Sequence, residues 1–190
     1  MDKATRTFLV LALPLVVLLG PGSRPSDAVP IRPGIMVHGA TSEELSLARW
    51  AVGRYDRAGL VLPPLQIFFH DDASGCQGHT GLYTSVGRVD LCPGLLINAM
   101  TRKTILHEMG HGWSEVRLSD DDRTAFMALR NLDNWESYSE LWDHRGWEQA
   151  AEIIAWGVGE RILTPTIPED SPEDLAVAYQ LLTDTPLPSP

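Results

Sequence analysis

The sequence predicts an α+β domain in which a small antiparallel sheet packs on a central helix and a helical C-terminal part follows. Three observations predict it. Runs of β-formers are short and lie before Cys92, most plainly "LQIFFH" (Leu65 to His70) and "LYTSVGRVDLC" (Leu82 to Cys92). Beyond them, apolar residues recur at helical spacing, as at Leu106, Met109 and Trp113. A chain of 190 residues suits one domain with its own core.

The N-terminal residues are expected to lie outside that domain. Lys3 and Arg6 make a weakly positive start, and Phe8 to Gly20 is an apolar run broken by Pro14. The run is shorter than a membrane span of roughly 20 residues. Ser26 and Ala28 are small residues at the −3 and −1 positions of a cleavage site. Residues 1–28 therefore read as a secretory signal peptide cut near Ala28. The expected domain spans residues 29–182, with 183–190 as a flexible tail. A secreted, extracellular chain follows, with no stable membrane association once the signal is removed.

Elements follow in order. Val29 to Ala40 is rich in Pro and Gly and is expected to be extended. Thr41 to Gly59 predicts a helix capped by Thr41 or Ser42, with Leu45, Ala48, Val52 and Tyr55 on its core face and Gly59 as its stop. Leu65 to His70 predicts a strand after Pro63-Pro64. "LYTSVGRVDLC" predicts a hairpin turning at Val86-Gly87. The segment ending at Trp113 predicts a helix. Ser119 begins a second one as its N-cap, with acids in the first turn. Residues 133–146 are irregular and rich in Trp. "WEQAAEIIAWGVGERIL" (Trp147 to Leu163) predicts a strong helix. "SPEDLAVAYQLL" predicts a last one, with Ser171 as cap and Pro172 in first position.

Charge narrows the partners. The full chain has 15 basic and 25 acidic side chains, and removing Lys3, Arg6, Arg24, Asp2 and Asp27 leaves 12 and 23. A net charge of −11 argues against nucleic acid or an anionic membrane surface. Cys76 and Cys92 are the two cysteines. In an exported chain they are expected to form a disulfide that staples the loop to the last strand of the hairpin.

The chemistry concentrates in "HEMGH". His107 and His111 are four apart, so a helix sets both imidazoles on one face, within reach of one metal ion. Glu108 then lies beside the metal, placed to take a proton from an activated water and later return it to a leaving amine. A third ligand is required. Ser114 and Arg117 stand where the extended HExxHxxGxxH pattern has its Gly and its third His, which excludes that pattern. The helix "GWEQAAEIIAWG" offers Glu148 and Glu152, four apart on one face among apolar residues. Glu148 as ligand and Glu152 hydrogen-bonded to a histidine is the natural division, and the swapped assignment is the alternative.

HExxH followed by a helix bearing ExxxE resembles the gluzincin branch of the zincin metallopeptidases, tightly at about five positions and loosely over His107 to Trp156. The resemblance implies a zincin-like fold. It also implies Zn2+ held by His107, His111 and Glu148, with Glu152 orienting a histidine and Glu108 as general base. A peptide or protein substrate would pair with an edge strand above the site. It further implies an oxyanion donor, for which Tyr138, His144 and Tyr83 are candidates; His144 also reads as a surface residue. His38, His70 and His79 read as structural or exposed, and the tryptophans after the motif chiefly as core. The expected function is a secreted, monomeric zinc metallopeptidase. The alternatives are a zinc-binding protein without hydrolytic activity and a zinc amidase acting on cell-wall amides.

Overall fold

A computed structural model describes residues 27–85, 87–94, 97–159, 161 and 171–188. The expected signal peptide lies outside the described residues except for Asp27 and Ala28, as do Val86 of the hairpin turn and the end of the helix expected to run to Leu163.

The first elements among the described residues form a hairpin, β1 (Val29–Arg32) and β2 (Ile35–His38). Helix α1 (Ser42–Arg57) follows, started by a capping box in which Thr41 and Glu44 satisfy each other's backbone N–H. Its buried face is Leu47, Ala48, Ala51, Val52 and Tyr55, slightly rotated from the expected stripe, with Leu45 only partly buried. Strand β3 (Leu65–Phe69) comes next, then a short 3-10 turn at Ala73–Cys76, then the hairpin β4 (Gly81–Thr84) and β5 (Arg88–Leu91).

The sheet is mixed, which corrects the expected antiparallel one. Its order is β1-β2-β3-β5-β4. The two hairpins are antiparallel, but β2 pairs with β3 and β3 with β5 in parallel. The physical reason is connection length. A tight turn returns a strand antiparallel, whereas a long crossover returns it parallel. Helix α1 carries the chain back between β2 and β3. The loop holding Cys76, together with β4, does so between β3 and β5. That path leaves β4 outermost.

One face of the sheet is buried. Val37, Ile67, Val89 and Tyr83 form a row across it through paired positions, with Gly81 and Leu91 paired in another row. Against this face lies α2 (Ala99–Arg117), capped by Asn98 and burying Ile105, Leu106, Met109 and Trp113. Burial of each such large side chain contributes about 1.5–3 kcal/mol. Helix α3 (Asp120–Arg130) starts at the expected Ser119 cap. The irregular, Trp-rich segment contains only a 3-10 turn at Trp142–His144. Helix α4 (Gly146–Val158) then crosses α2 and buries Ala150, Ile153 and Ile154. Helix α5 (Pro172–Thr183), with its Ser171 cap, packs on α4. Past it, residues 184–188 run along the domain, with Leu187 against the core and the Pro188 carbonyl accepting from Arg161. Among the described residues no helix is long and apolar enough to cross a membrane.

Candidate metal centre

Two helices build the site. The 3.6-residue period sets His107 and His111 on one side of α2 and Glu148 and Glu152 on one side of α4. Their close approach depends on Gly110, inside "HEMGH". A β-carbon there would lie 3.0 Å from the Ala151 carbonyl oxygen and 3.2 Å from its Cα. Tyr55 supports the crossing from α1 by donating its hydroxyl to the Leu106 carbonyl at 2.7 Å.

The result is a small triangle of ligand atoms. Nε2 of His107 and Nε2 of His111 are 3.1 Å apart, and each lies 3.2 Å from Oε2 of Glu148. These three side chains form a group that could hold a metal ion. Both histidines are buried, at 8% and 3% exposure, and Glu148 is partly buried.

Glu152 is 2% exposed and is not part of the triangle. Its Oε2 lies 3.2 Å from Nδ1 of His107, on the far side of the ring from the ligand nitrogen. Its Oε1 lies 2.5 Å from the ammonium of Lys103, one helical turn before His107. Nδ1 of His111, by contrast, has no hydrogen-bond partner among the described residues.

The buried carboxylates and imidazoles shift one another's ionisation. Burial opposes ionisation of Glu148, but hydrogen bonds from both histidines hold its carboxyl down at about 2. Burial also opposes charge on His107, yet the hydrogen bonds to Glu148 and Glu152 outweigh it and raise the ring to about 10. Burial dominates at His111 and lowers it to about 4. Burial likewise pushes Glu108 up to about 7, against the pull of His107 and of the Tyr83 backbone N–H that its carboxyl accepts.

That last contact ties β4 to the metal helix. Gly81 faces α2 so closely that a β-carbon would lie 2.5 Å from Thr104 Cγ2 and 2.7 Å from Glu108 Oε1. Only glycine lets the strand settle against the glutamate.

Two hollows flank the triangle. The larger, of about 710 Å³, is bounded by Tyr83, Glu115, Arg123, Tyr138, Trp147 and Glu148, among others. The smaller, of about 200 Å³, is bounded by Gly81, Lys103, His107, Glu108, Trp142 and Glu152, among others.

Of the sequence-predicted residues, His107, Glu108, His111, Glu148 and Glu152 come together, and Cys76 and Cys92 are bonded. The oxyanion candidates fare differently. Tyr138 borders the larger hollow, but it is 89% exposed and its ring lies over the Arg145 guanidinium. His144 is exposed and borders neither hollow. The hydroxyl of Tyr83 is occupied elsewhere, donating to Glu115 and accepting the Gly87 N–H at 3.2 Å.

Sequence reasoning missed four participants. Trp147 stacks on His111 at 4.4 Å and Trp142 on His107 at 5.6 Å, so two tryptophans read chiefly as core instead wall the ligand rings. Lys103 carried a readable signal, since it stands four residues before His107. His79, read as structural or exposed, is exposed and borders both hollows. His38 and His70 are structural: His38 stacks on Phe68 and bonds Gln66 at 2.7 Å, and His70 pairs with Asp90 at 2.6 Å.

Comparison with protein-family models, with curated proteins and with solved structures finds no match for this chain.

Proposed function

We propose that this chain is a secreted zinc-dependent metallopeptidase of the gluzincin kind. The ligand triangle carries the reading. A tetrahedral zinc with bonds of about 2.0–2.1 Å keeps its ligand atoms roughly 3.3 Å apart, close to the spacing seen here. The donor set of two imidazoles and one carboxylate suits zinc. Zinc seated there supplies a Lewis acid and lowers the pKa of a water to about 7.

The chain's own residues supply the rest. Glu108 lies beside the triangle without joining it, with its carboxyl pushed up to about 7. At neutral pH it can therefore accept a proton and give one to a leaving amine. Among the described residues strand β4 pairs on one side alone, which suits an extended peptide lying along its other edge. Trp142 and Trp147 fix the ligand rings and keep water off their faces. The disulfide is in keeping with an oxidising, extracellular setting. A site kept for structure alone has no use for a buried glutamate beside its ligands and often closes with a fourth protein ligand.

The test is zinc stoichiometry on the purified mature chain, followed by a peptide-library screen against Glu108→Gln. One zinc, lost in Glu148→Ala, with cleavage lost in Glu108→Gln, supports the reading. A wild-type chain that holds no zinc, or holds it and cleaves nothing, refutes it.

A further inference from the structure

Hydrolysis of an amide by this centre needs a hydrogen-bond donor for the carbonyl oxygen on which negative charge builds. The side chains around the two hollows can be sorted by what already occupies them. Tyr83 gives its hydroxyl to Glu115. Lys103 is paired with Glu152. Arg145 donates to the carbonyls of Glu140 and Tyr138, and Thr104 donates to the Met100 carbonyl.

His79 combines two properties. It borders both hollows, one bounded also by Glu148 and the other by His107 and Glu108. Its imidazole has no hydrogen-bond partner among the described residues, while its backbone is fixed on every side. Its own N–H bonds the Cys76 carbonyl at 2.9 Å. On one side, the N–H of Gly78 bonds the Ala73 carbonyl at 2.7 Å; on the other, the Thr80 carbonyl accepts the Cys92 N–H at 2.9 Å. Asp72 caps the 3-10 turn that begins this loop, and the Cys76–Cys92 bridge ties the turn to the end of β5. The anchored backbone holds this position in place, and the unengaged ring leaves an N–H free for a bound acyl oxygen.

We propose that His79 is the catalytic residue that donates an imidazole N–H to the oxygen of the tetrahedral acyl centre formed at this site. The assignment rests on the metallopeptidase reading above. It makes the loop before β4, pinned by the disulfide, part of the active centre.

The experiment compares zinc-loaded wild type with His79→Ala, His79→Gln and, as a control remote from the site, Val177→Ala at an exposed position of α5. Three quantities are read: zinc stoichiometry, kcat and KM on a cleaved peptide, and affinity for a phosphinate pseudodipeptide, whose tetrahedral anionic centre needs no turnover. In His79→Ala, kcat is expected to fall about 100-fold at unchanged zinc content and nearly unchanged KM. Phosphinate affinity should fall with it, His79→Gln should recover part of both, and Val177→Ala should match wild type. A His79→Ala chain that keeps wild-type kcat and phosphinate affinity overturns the assignment and leaves the peptidase reading standing. A wild type that cleaves no peptide, yet binds the phosphinate through His79, upholds the donor and overturns the peptide substrate. Failure of the wild type to bind either zinc or phosphinate overturns both.

Discussion

Glu152 holds Nδ1 of His107 at 3.2 Å with one carboxylate oxygen and the Lys103 ammonium at 2.5 Å with the other. The contact fixes the proton of the His107 ring on Nδ1 when a metal is bound, leaving Nε2 free to ligate. Against the cost of burial, His107 first and Lys103 second hold the Glu152 carboxyl below its ordinary range. Glu152→Gln should weaken zinc about 10–100-fold without abolishing binding, whereas Glu148→Ala should abolish it. Competition against a chelator of known affinity measures both. Equal losses in the two variants would refute this division of roles.

Metal uptake should release protons. His111 is held down at about 4 and Glu148 at about 2, so neither carries a proton at pH 8. His107, held up at about 10, does, and it must lose that proton to ligate. Glu108, at about 7, is by then mostly ionised. Near pH 8 the chain should therefore release about one proton per zinc, and its apparent affinity should rise about tenfold per pH unit until it levels near pH 10. Isothermal titration in buffers of different ionisation enthalpy reads the proton count. A count of zero would mean that His107 is neutral before the metal arrives.

Two glycines should fail in different ways. Gly110→Ala forces a methyl against the backbone of Ala151 and drives α4 from α2, so stability should drop by about 1–3 kcal/mol and zinc binding should weaken with it. Gly81→Ala meets the side chains of Thr104 and Glu108 instead. It should leave the ligand triangle and its zinc intact while displacing Glu108, so cleavage falls without metal loss. Urea midpoints and zinc content separate the two; if Gly81→Ala lost its zinc, β4 would have to bear on the ligands themselves.

The disulfide closes a short loop between positions 16 apart. In the chain-entropy model a bridge of this span contributes about 3 kcal/mol. The Cys76→Ser/Cys92→Ser chain should lower the urea midpoint accordingly. A shift equivalent to less than about 1 kcal/mol would mean that the hydrogen bonds around Cys76, His79 and Thr80 hold the loop without it.

The parts of the site legible in the sequence were those governed by helical periodicity. His107 with His111, and Glu148 with Glu152, share a face wherever a helix forms, and the caps at Thr41, Ser119 and Ser171 follow from local hydrogen bonding. Strand direction was not legible, because parallel pairing depends on how α1 and the Cys76 loop route the chain. Trp142 and Trp147 share a composition signal with core tryptophans, and only the tertiary fold turns their rings onto the imidazoles. His79 lies in a loop with no period to read.

The outermost position of β4 has a colloidal consequence. An unpaired strand edge is a template for any extended chain, including β4 of a second copy. The chain's net charge of −10 sets identical molecules against one another. That repulsion reaches only about 8 Å at physiological ionic strength and less in stronger salt. Acidity thus acts as electrostatic insulation for that edge. Concentrated salt should promote self-association through β4.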